Sequence, residues 1–452
     1  MRRGMGLLLV IFCLQSAAQA QVIAYDFSPL YEKASPAIVL ISTDDGSGSG
    51  FLVSPFGHIA TNFHVINNTR YLAVQFPDGR KVKADIIAVN TKYDMALLKV
   101  NSSVVQGIRP LQLLPEEKEV GVKVGIPVVA MGSPLNQKFL MTQGILSKVN
   151  EETVLGDFLL QPGNSGGPLI NIDGQVLGIN TFGEGSISGA VRIGTLRDLL
   201  KTNDIWDSIE IEPSQRLLPA LSSVRYPVDL LNMKIKTEPL NWEAYQFKAG
   251  DFSVTAITPV LIGKLQYATG RMREENRHIR RSKPNSDPNF QGAGDPFFEW
   301  HRTTENALDY AVTFDIRPNA GYTGRSKFAR IVAPIFMLGR TGKLDMEFKG
   351  EFQDFKIYRD GQLLEPIMPG RQVIEGSTDG KSSRFIDQAS AGSYVYSPED
   401  FRTGHEFRFQ IVDARKPDEI HREVVMDENS PLILQIRADF SFSPDFLFLR
   451  LP

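Results

Sequence analysis

Residues 161–169 read QPGNSGGPL, and Ser165 within them is the side chain whose type and setting best suit nucleophilic chemistry. A serine hydroxyl attacks only once a base takes its proton, and attack on a carbonyl builds negative charge that needs donors already in place. Glycines meet the second need. Without a Cβ they let the backbone take positive φ and approach the reacting carbonyl, so the amides of Gly163 and Ser165 can point at one oxyanion. The same composition also makes ordinary surface turns, so the segment decides nothing until a base and its orienter are found.

Both occur upstream. Around His64 the chain reads SGSGFLVSPFGHIATNFHVI, two short apolar stretches joined by a Ser-Pro-Phe-Gly turn, which predicts a strand hairpin delivering a histidine to a loop. Asp94 closes the polar turn NTKYD ahead of an apolar β-type run, where it can accept the imidazole Nδ1 proton and stabilise the imidazolium. The order is His, Asp, Ser, with separations of 94 − 64 = 30 and 165 − 94 = 71 residues. Rival residues have plainer readings. His58 falls in the hairpin turn and is expected to be solvated, and Asp78 belongs to an Asp-Gly turn. Asp85 is either an outward strand position or the acid.

Taken together, SGSGFLVSPFGHIATNFHVI, YDMALLKV, MGSPLNQKFLMTQGILS and QPGNSGGPLINIDGQVLGINT resemble the HtrA (DegP/DegS-like) branch of the chymotrypsin-fold serine proteases over about residues 25–205. The resemblance implies a double six-stranded β-barrel, with His64 as general base, Asp94 rather than Asp85 as its orienter, and Ser165 as nucleophile. Gly163 and Ser165 become the oxyanion donors. It implies protein or peptide substrates and no cofactor, and through the opening segment DFSPLYEKASPAIVLIST it implies packing into homotrimers. Where digestive relatives carry an aspartate that pairs with a freed N-terminus, this chain has Asn164, so no activation by propeptide cleavage is expected.

The resemblance also locates the pocket for the residue before the scissile bond: Leu159 and Leu160, the GINT segment with Asn180, and the strand ending at Arg192. An apolar wall rejects an unpaired Lys or Arg because burying the charge is costly, so cleavage after Val, Ala or Leu is expected. Two departures qualify this. The family usually has two small residues after Asp157, whereas Phe158 and Leu159 add bulk that would narrow the pocket. Arg192 replaces an apolar residue; it either reaches the pocket and favours an acidic side chain or faces solvent.

Composition sets the outer bounds. The 452 residues suggest two or three domains, and a net charge of −3 gives no reason to expect nucleic acid as a partner. Arg2 and Arg3 precede the apolar run MGLLLVIFCL, and SAAQA places Ala18 and Ala20 in an A-x-A arrangement, so residues 1–20 are expected to be a cleaved signal peptide. That run is too short to span a bilayer, and no later segment offers about twenty uncharged apolar residues. The single cysteine, Cys13, lies in this leader, leaving a mature chain without disulfides. A periplasmic or secreted location follows.

The expected organisation is a protease domain over 21–208, a linker over 209–223 and a β-rich, sandwich-like region over 224–452 without a clear PDZ module. Strands are expected at VDLLNMKIKT, FSVTAITPV, DYAVTFDIRP, FARIVAPIFML, KLDMEFKGEF, FRFQIVDA and PLILQIRADFSF, separated by turns such as Arg359-Asp360-Gly361. RMREENRHIRRSK opens a charged, mobile loop at about 270–297. Phe440, Phe442, Phe446 and Phe448 alternate as one face of a strand would. His278, His301, His405 and His421 show no metal-ligand spacing, so no metal is expected. Two function classes remain: a serine endopeptidase, or a binding or chaperone-like protein built on a catalytically weak protease scaffold.

Overall fold

The computed structural model describes residues 25–133, 140–185, 187–202, 216–221, 226–265, 267–268, 310–323, 344–376, 383–416 and 422–441. The expected signal peptide with Cys13, most of the linker, the charged loop, the FARIVAPIFML run, His278, His301, His421 and the last three phenylalanines lie outside these residues.

The chain folds first into a seven-stranded sheet ordered β5-β4-β1-β2-β3-β7-β6. Its strands are β1 (Ile38–Thr43), β2 (Ser47–Leu52), β3 (His58–Thr61), β4 (Leu72–Gln75), β5 (Lys81–Lys83), β6 (Asp85–Asn90) and β7 (Met95–Lys99). β-Branched and apolar residues dominate β1, every residue of which is buried, as suits a strand packed on both faces. β3 and β7 pair with Thr61 opposite Ala96, so the residues after β3 and those before β7 emerge at the same end of the sheet. That register brings the His64 and Asp94 segments together.

A second sheet follows, ordered β12-β9-β10-β11-β14-β13-β8. It comprises β8 (Gln112–Leu113), β9 (Pro127–Gly132), β10 (Leu140–Val149), β11 (Thr153–Gly156), β12 (Pro168–Asn171), β13 (Gln175–Glu184) and β14 (Ile187–Arg192). An extra β12–β13 ladder closes six of these strands into a barrel, with β8 appended. The first sheet is curled rather than closed. One hydrophobic cluster runs through both, from Ile38, Phe51 and Leu97 to Val129, Ile170 and Ile179, which fixes the cleft between the two sheets. The fold is the expected chymotrypsin-like one, with the second barrel closed by six strands as expected and the first a curled seven-stranded half-barrel rather than a closed six-stranded one.

The C-terminal region is β-rich and layered. A five-stranded sheet, β15-β16-β17-β24-β22, faces a four-stranded one, β21-β20-β25-β26, in which β15 is Gln246–Ala249, β21 is Gln362–Leu364 and β26 is Arg422–Asp427. The strands that carry the core are β16 (Phe252–Ile257), β17 (Val312–Pro318), β20 (Phe352–Arg359), β22 (Met368–Glu375), β24 (Gln388–Tyr396) and β25 (Glu406–Asp413). Phe314 from one layer contacts Phe355 and Phe409 from the other, at ring-centroid distances of 5.6 and 5.8 Å. Two expected strands are helices instead. Val228–Thr237 and Pro431–Asp439 are helical, and Phe440 caps the second, edge-on to Tyr226 and Tyr310.

The two halves touch. Leu218, within the expected linker, is buried, and its N–H donates to the Lys81 carbonyl at 2.7 Å. Lys81 is 2% exposed, donates through Nζ to the Ile367 carbonyl and lies over the Tyr71 ring. Burial pushes its ammonium down to about 8 from 10.5. The unfolded chain therefore binds the extra proton between those values, and stability should rise with pH across that window and stay flat below it. Thermal unfolding of the wild type should show this rise between pH 8 and 10.5, and Lys81→Met should lack it; identical pH slopes would contradict the assignment.

Candidate active site

Asn62 directly follows β3 and is fully buried, with Nδ2 donating to the Asp94 carbonyl at 2.8 Å and to Thr181 Oγ1 at 3.1 Å. The short helix Phe63–Ile66 follows and carries His64. Asp94 lies in the tight turn between β6 and β7 with φ of 52°, a left-handed conformation that Asp adopts more readily than most residues. Both of its carboxylate oxygens hold the same residue. Oδ1 accepts the His64 backbone N–H at 2.8 Å, and Oδ2 lies 2.7 Å from His64 Nδ1. This fixes the position of the ring and leaves Nε2 as the nitrogen available for proton transfer.

Ser165 comes from the second sheet. Pro162 and Gly163 are the central residues of a turn closed by Asn164 N–H to the Gln161 carbonyl at 3.0 Å, and Gly163 has φ of 101°. Pro then Gly with positive φ is the type II pattern. Ser49 ties this loop to β2 from two directions: its N–H donates to the Ser165 carbonyl at 2.8 Å and its hydroxyl to the Gly163 carbonyl at 2.6 Å. Gly166, at φ of 88°, packs so closely that a Cβ would lie 2.1 Å from the Ser49 carbonyl oxygen. Among the described residues the N–H groups of Gly163 and Ser165 find no acceptor, so both are free for an incoming oxyanion. The Ser165 hydroxyl donates to the Thr181 carbonyl at 3.3 Å.

The pocket candidates separate. Leu160 is half-buried, its N–H donating to Ser188 Oγ at 3.2 Å, and Leu159 is 51% exposed. Phe158 turns into the barrel core and is fully buried, so the bulk expected to narrow the pocket is spent on packing. Asn180 is also fully buried, bonding the Met131 and Pro168 carbonyls, and supports the nucleophile loop rather than offering a side chain to substrate. Arg192 neither reaches the pocket nor faces solvent freely: Glu119 pairs with it at 3.1 Å, and the carbonyls of Asn150 and Glu151 accept from it.

His58, expected to be solvated, is buried and 2.6 Å from Ser54 Oγ. Asp78 pairs with Arg80, and Asp85 is exposed at the start of β6. Sequence reasoning missed Ser49 and Asn62 as supports of the site. Their signal was present in SGSG and TNFH, which put a small side chain inside β2 and an amide just after β3, where larger apolar residues could have stood.

Comparison with known proteins defines the class first. Residues 48–179 match the trypsin-like peptidase domain. A probable periplasmic DegP-like serine endoprotease of Chlamydia pneumoniae is 35% identical over 191 residues, covering 40% of this chain and 38% of that one. The mitochondrial serine protease HTRA2 of Bos taurus is 34% identical over 218 residues, covering 42% and 46% respectively. The solved serine endoprotease from Yersinia pestis aligns at 26% identity and a TM-score of 0.37, covering 40% of this chain and 67% of that one. Over this half the chain is similar to HtrA-type serine proteases, and residues 48–179 form a trypsin-like peptidase domain. The chain spans less than half the length of the two curated relatives described.

Proposed function

We propose that the chain is an extracytoplasmic serine endopeptidase that hydrolyses peptide bonds through His64, Asp94 and Ser165, acting in protein quality control or envelope processing. The observation that carries this reading is the pair of Asp94 hydrogen bonds to His64 beside a nucleophile loop with two unpaired amides. In the reaction, the Ser165 hydroxyl rotates from the Thr181 carbonyl to His64 Nε2, loses its proton there and attacks the substrate carbonyl. Asp94 stabilises the imidazolium, and the N–H groups of Gly163 and Ser165 hold the oxyanion. The imidazolium then protonates the leaving amine, and water repeats the sequence to release the acyl group.

The leader-like sequence of residues 1–20 and the periplasmic names of relatives support an extracytoplasmic location. Assembly into homotrimers through the opening segment belongs to the same reading. Leu160 beside Ser188, with the half-exposed Phe182 ring over Gly189, supports a pocket for small or medium apolar residues. Asn164, buried and uncharged, supports activity without propeptide removal.

The full chain, carrying an uncleaved N-terminal tag, should cut unfolded protein after Val, Ala or Leu when the products are mapped by mass spectrometry. Dominant cleavage after Asp, Glu, Lys or Arg would overturn the pocket assignment. Activity appearing only once the tag is removed would overturn the role given to Asn164. Absence of any cleavage would favour the binding scaffold.

A further inference from the structure

β22 is the last strand of its five-stranded sheet and, among the described residues, pairs with β24 alone. In that register Arg371 lies opposite Gly392, Gln372 opposite Ala391 and Val373 opposite Ser390. The Arg371 N–H nevertheless points away from β24, donating to the Asp44 carbonyl at 2.6 Å. Antiparallel ladders alternate, so with Arg371 facing outward, Gly370, Gln372 and Ile374 bond β24 while Val373 and Glu375 also face outward. Pro369, the outward position before Arg371, has no N–H to offer. Past the one bond to Asp44, the Arg371 carbonyl and the N–H and carbonyl of Val373 have no acceptor or donor among the described residues, and Val373 is 69% exposed.

This edge is held beside the cleft. Asp44 lies five residues ahead of Ser49, which grips the nucleophile loop. Its Oδ1 accepts from Thr69 Oγ1 at 2.8 Å and from the Arg70 N–H at 2.9 Å, in the segment that follows the His64 helix. Arg70 also reaches the Gln353 carbonyl at 3.2 Å, so the C-terminal sandwich holds Asp44 through Arg371 and the Arg70 segment through Gln353. An unpaired strand edge is a template for another extended chain, and proteins ordinarily blunt it. Here Pro369 and the Asp44 contact blunt the first half of the edge, and the next outward position carries an exposed valine.

We propose that the free edge of β22 is a docking strand for the polypeptide substrate, which adds to the sheet along Arg371–Glu375 while its scissile bond lies at Ser165. This rests on the endopeptidase reading. The occupant follows from the continuity of the edge with the barrel contact: an extended chain leaving the cleft past Asp44 meets the open hydrogen-bonding groups directly. Pairing through main-chain groups also accepts varied sequences, which suits unfolded proteins.

The test compares peptides of one cleavable sequence, either short or extended by about ten residues on both sides, a reach of roughly 33 Å per arm. Wild type should favour the long peptide through KM. Val373→Pro, which removes the outward N–H, should raise KM for the long peptide by about tenfold and leave kcat and the short peptide unchanged. Val373→Thr, which keeps the N–H, should match wild type. Because the proline could disturb the sheet, wild type is also given a long peptide N-methylated at alternate amides of its arms, and the same rise in KM is expected. Equal KM for methylated and unmethylated long peptides would overturn the proposal. So would a Val373→Pro effect limited to oligomer size on gel filtration, which would assign the edge to a second copy of this chain. If wild type cleaves the short peptide without any long-peptide advantage, docking alone fails; if it cleaves neither, the endopeptidase reading fails first.

Discussion

Replacing Ser165 with alanine should lower peptide-bond hydrolysis by about 10⁴-fold or more while leaving the fold intact. The hydroxyl contributes little to the loop's position, since its hydrogen bond is to the Thr181 carbonyl at 3.3 Å. The loop is held through main-chain groups: Ser49 N–H to the Ser165 carbonyl, Gly166 N–H to the Asn180 carbonyl and Asn180 N–H to the Gly167 carbonyl, each at 2.8 Å. Alanine preserves all of these and the two unpaired amides. What it removes is the atom that forms the acyl bond. Thermal unfolding should stay within the shift expected for one weak hydrogen bond, about 1 kcal/mol, and a large loss of stability would show that the serine is structural.

Asp94→Asn should cost about 10⁴ in turnover at neutral pH, again without unfolding the barrel. An amide offers one acceptor where the carboxylate offers two. If the Asn oxygen keeps the His64 N–H, its NH₂ faces Nδ1 and forces that nitrogen to accept, so Nε2 carries the proton and cannot take one from Ser165. If the amide turns over, the ring loses the backbone anchor that holds His64 at 2.8 Å. Either arrangement removes the charge that stabilises the imidazolium. Asparagine tolerates the left-handed backbone at φ of 52° as well as aspartate does, so the loss belongs to chemistry rather than to folding. Steady-state kinetics beside a melting curve separates the two, and an unchanged kcat would refute the role given to Asp94.

The barrel half was legible because its chemistry is written locally. GNSGG, the His64 hairpin and the Asp94 turn each combine a reactive residue with the turn residues that present it. The β3–β7 register that joins two of them follows from short apolar strands of nearly fixed length. The supports were harder to see. Ser49, Asn62 and Asn180 act through partners 114, 119 and 49 residues away, separations that no local pattern reports. Phe158 and Arg192 were misplaced for a related reason: neither burial nor the Glu119 partner can be read from the neighbouring residues.

In the C-terminal region, periodicity alone failed at two runs. VDLLNMKIKT and PLILQIRADF are short and apolar enough to suit either a strand or a buried helix. Burial of Leu432, Ile433 and Ile436 with Leu434 half-exposed shows the helical period at the second. Its start was marked by Ser430 followed by Pro431, a common helix opening. The alternating strands FSVTAI and EFRFQIVD, buried at every second residue, were the clearest to read.

The central claim is that Ser165 is a nucleophile activated by His64. The most direct measurement is to treat the folded full chain with a fluorophosphonate and map the adduct by peptide mass spectrometry. One phosphonate per chain on Ser165, absent when Asp94 is replaced by asparagine over the same interval, is the result expected. No adduct, or an adduct on another residue while Ser165 stays unmodified, would contradict it.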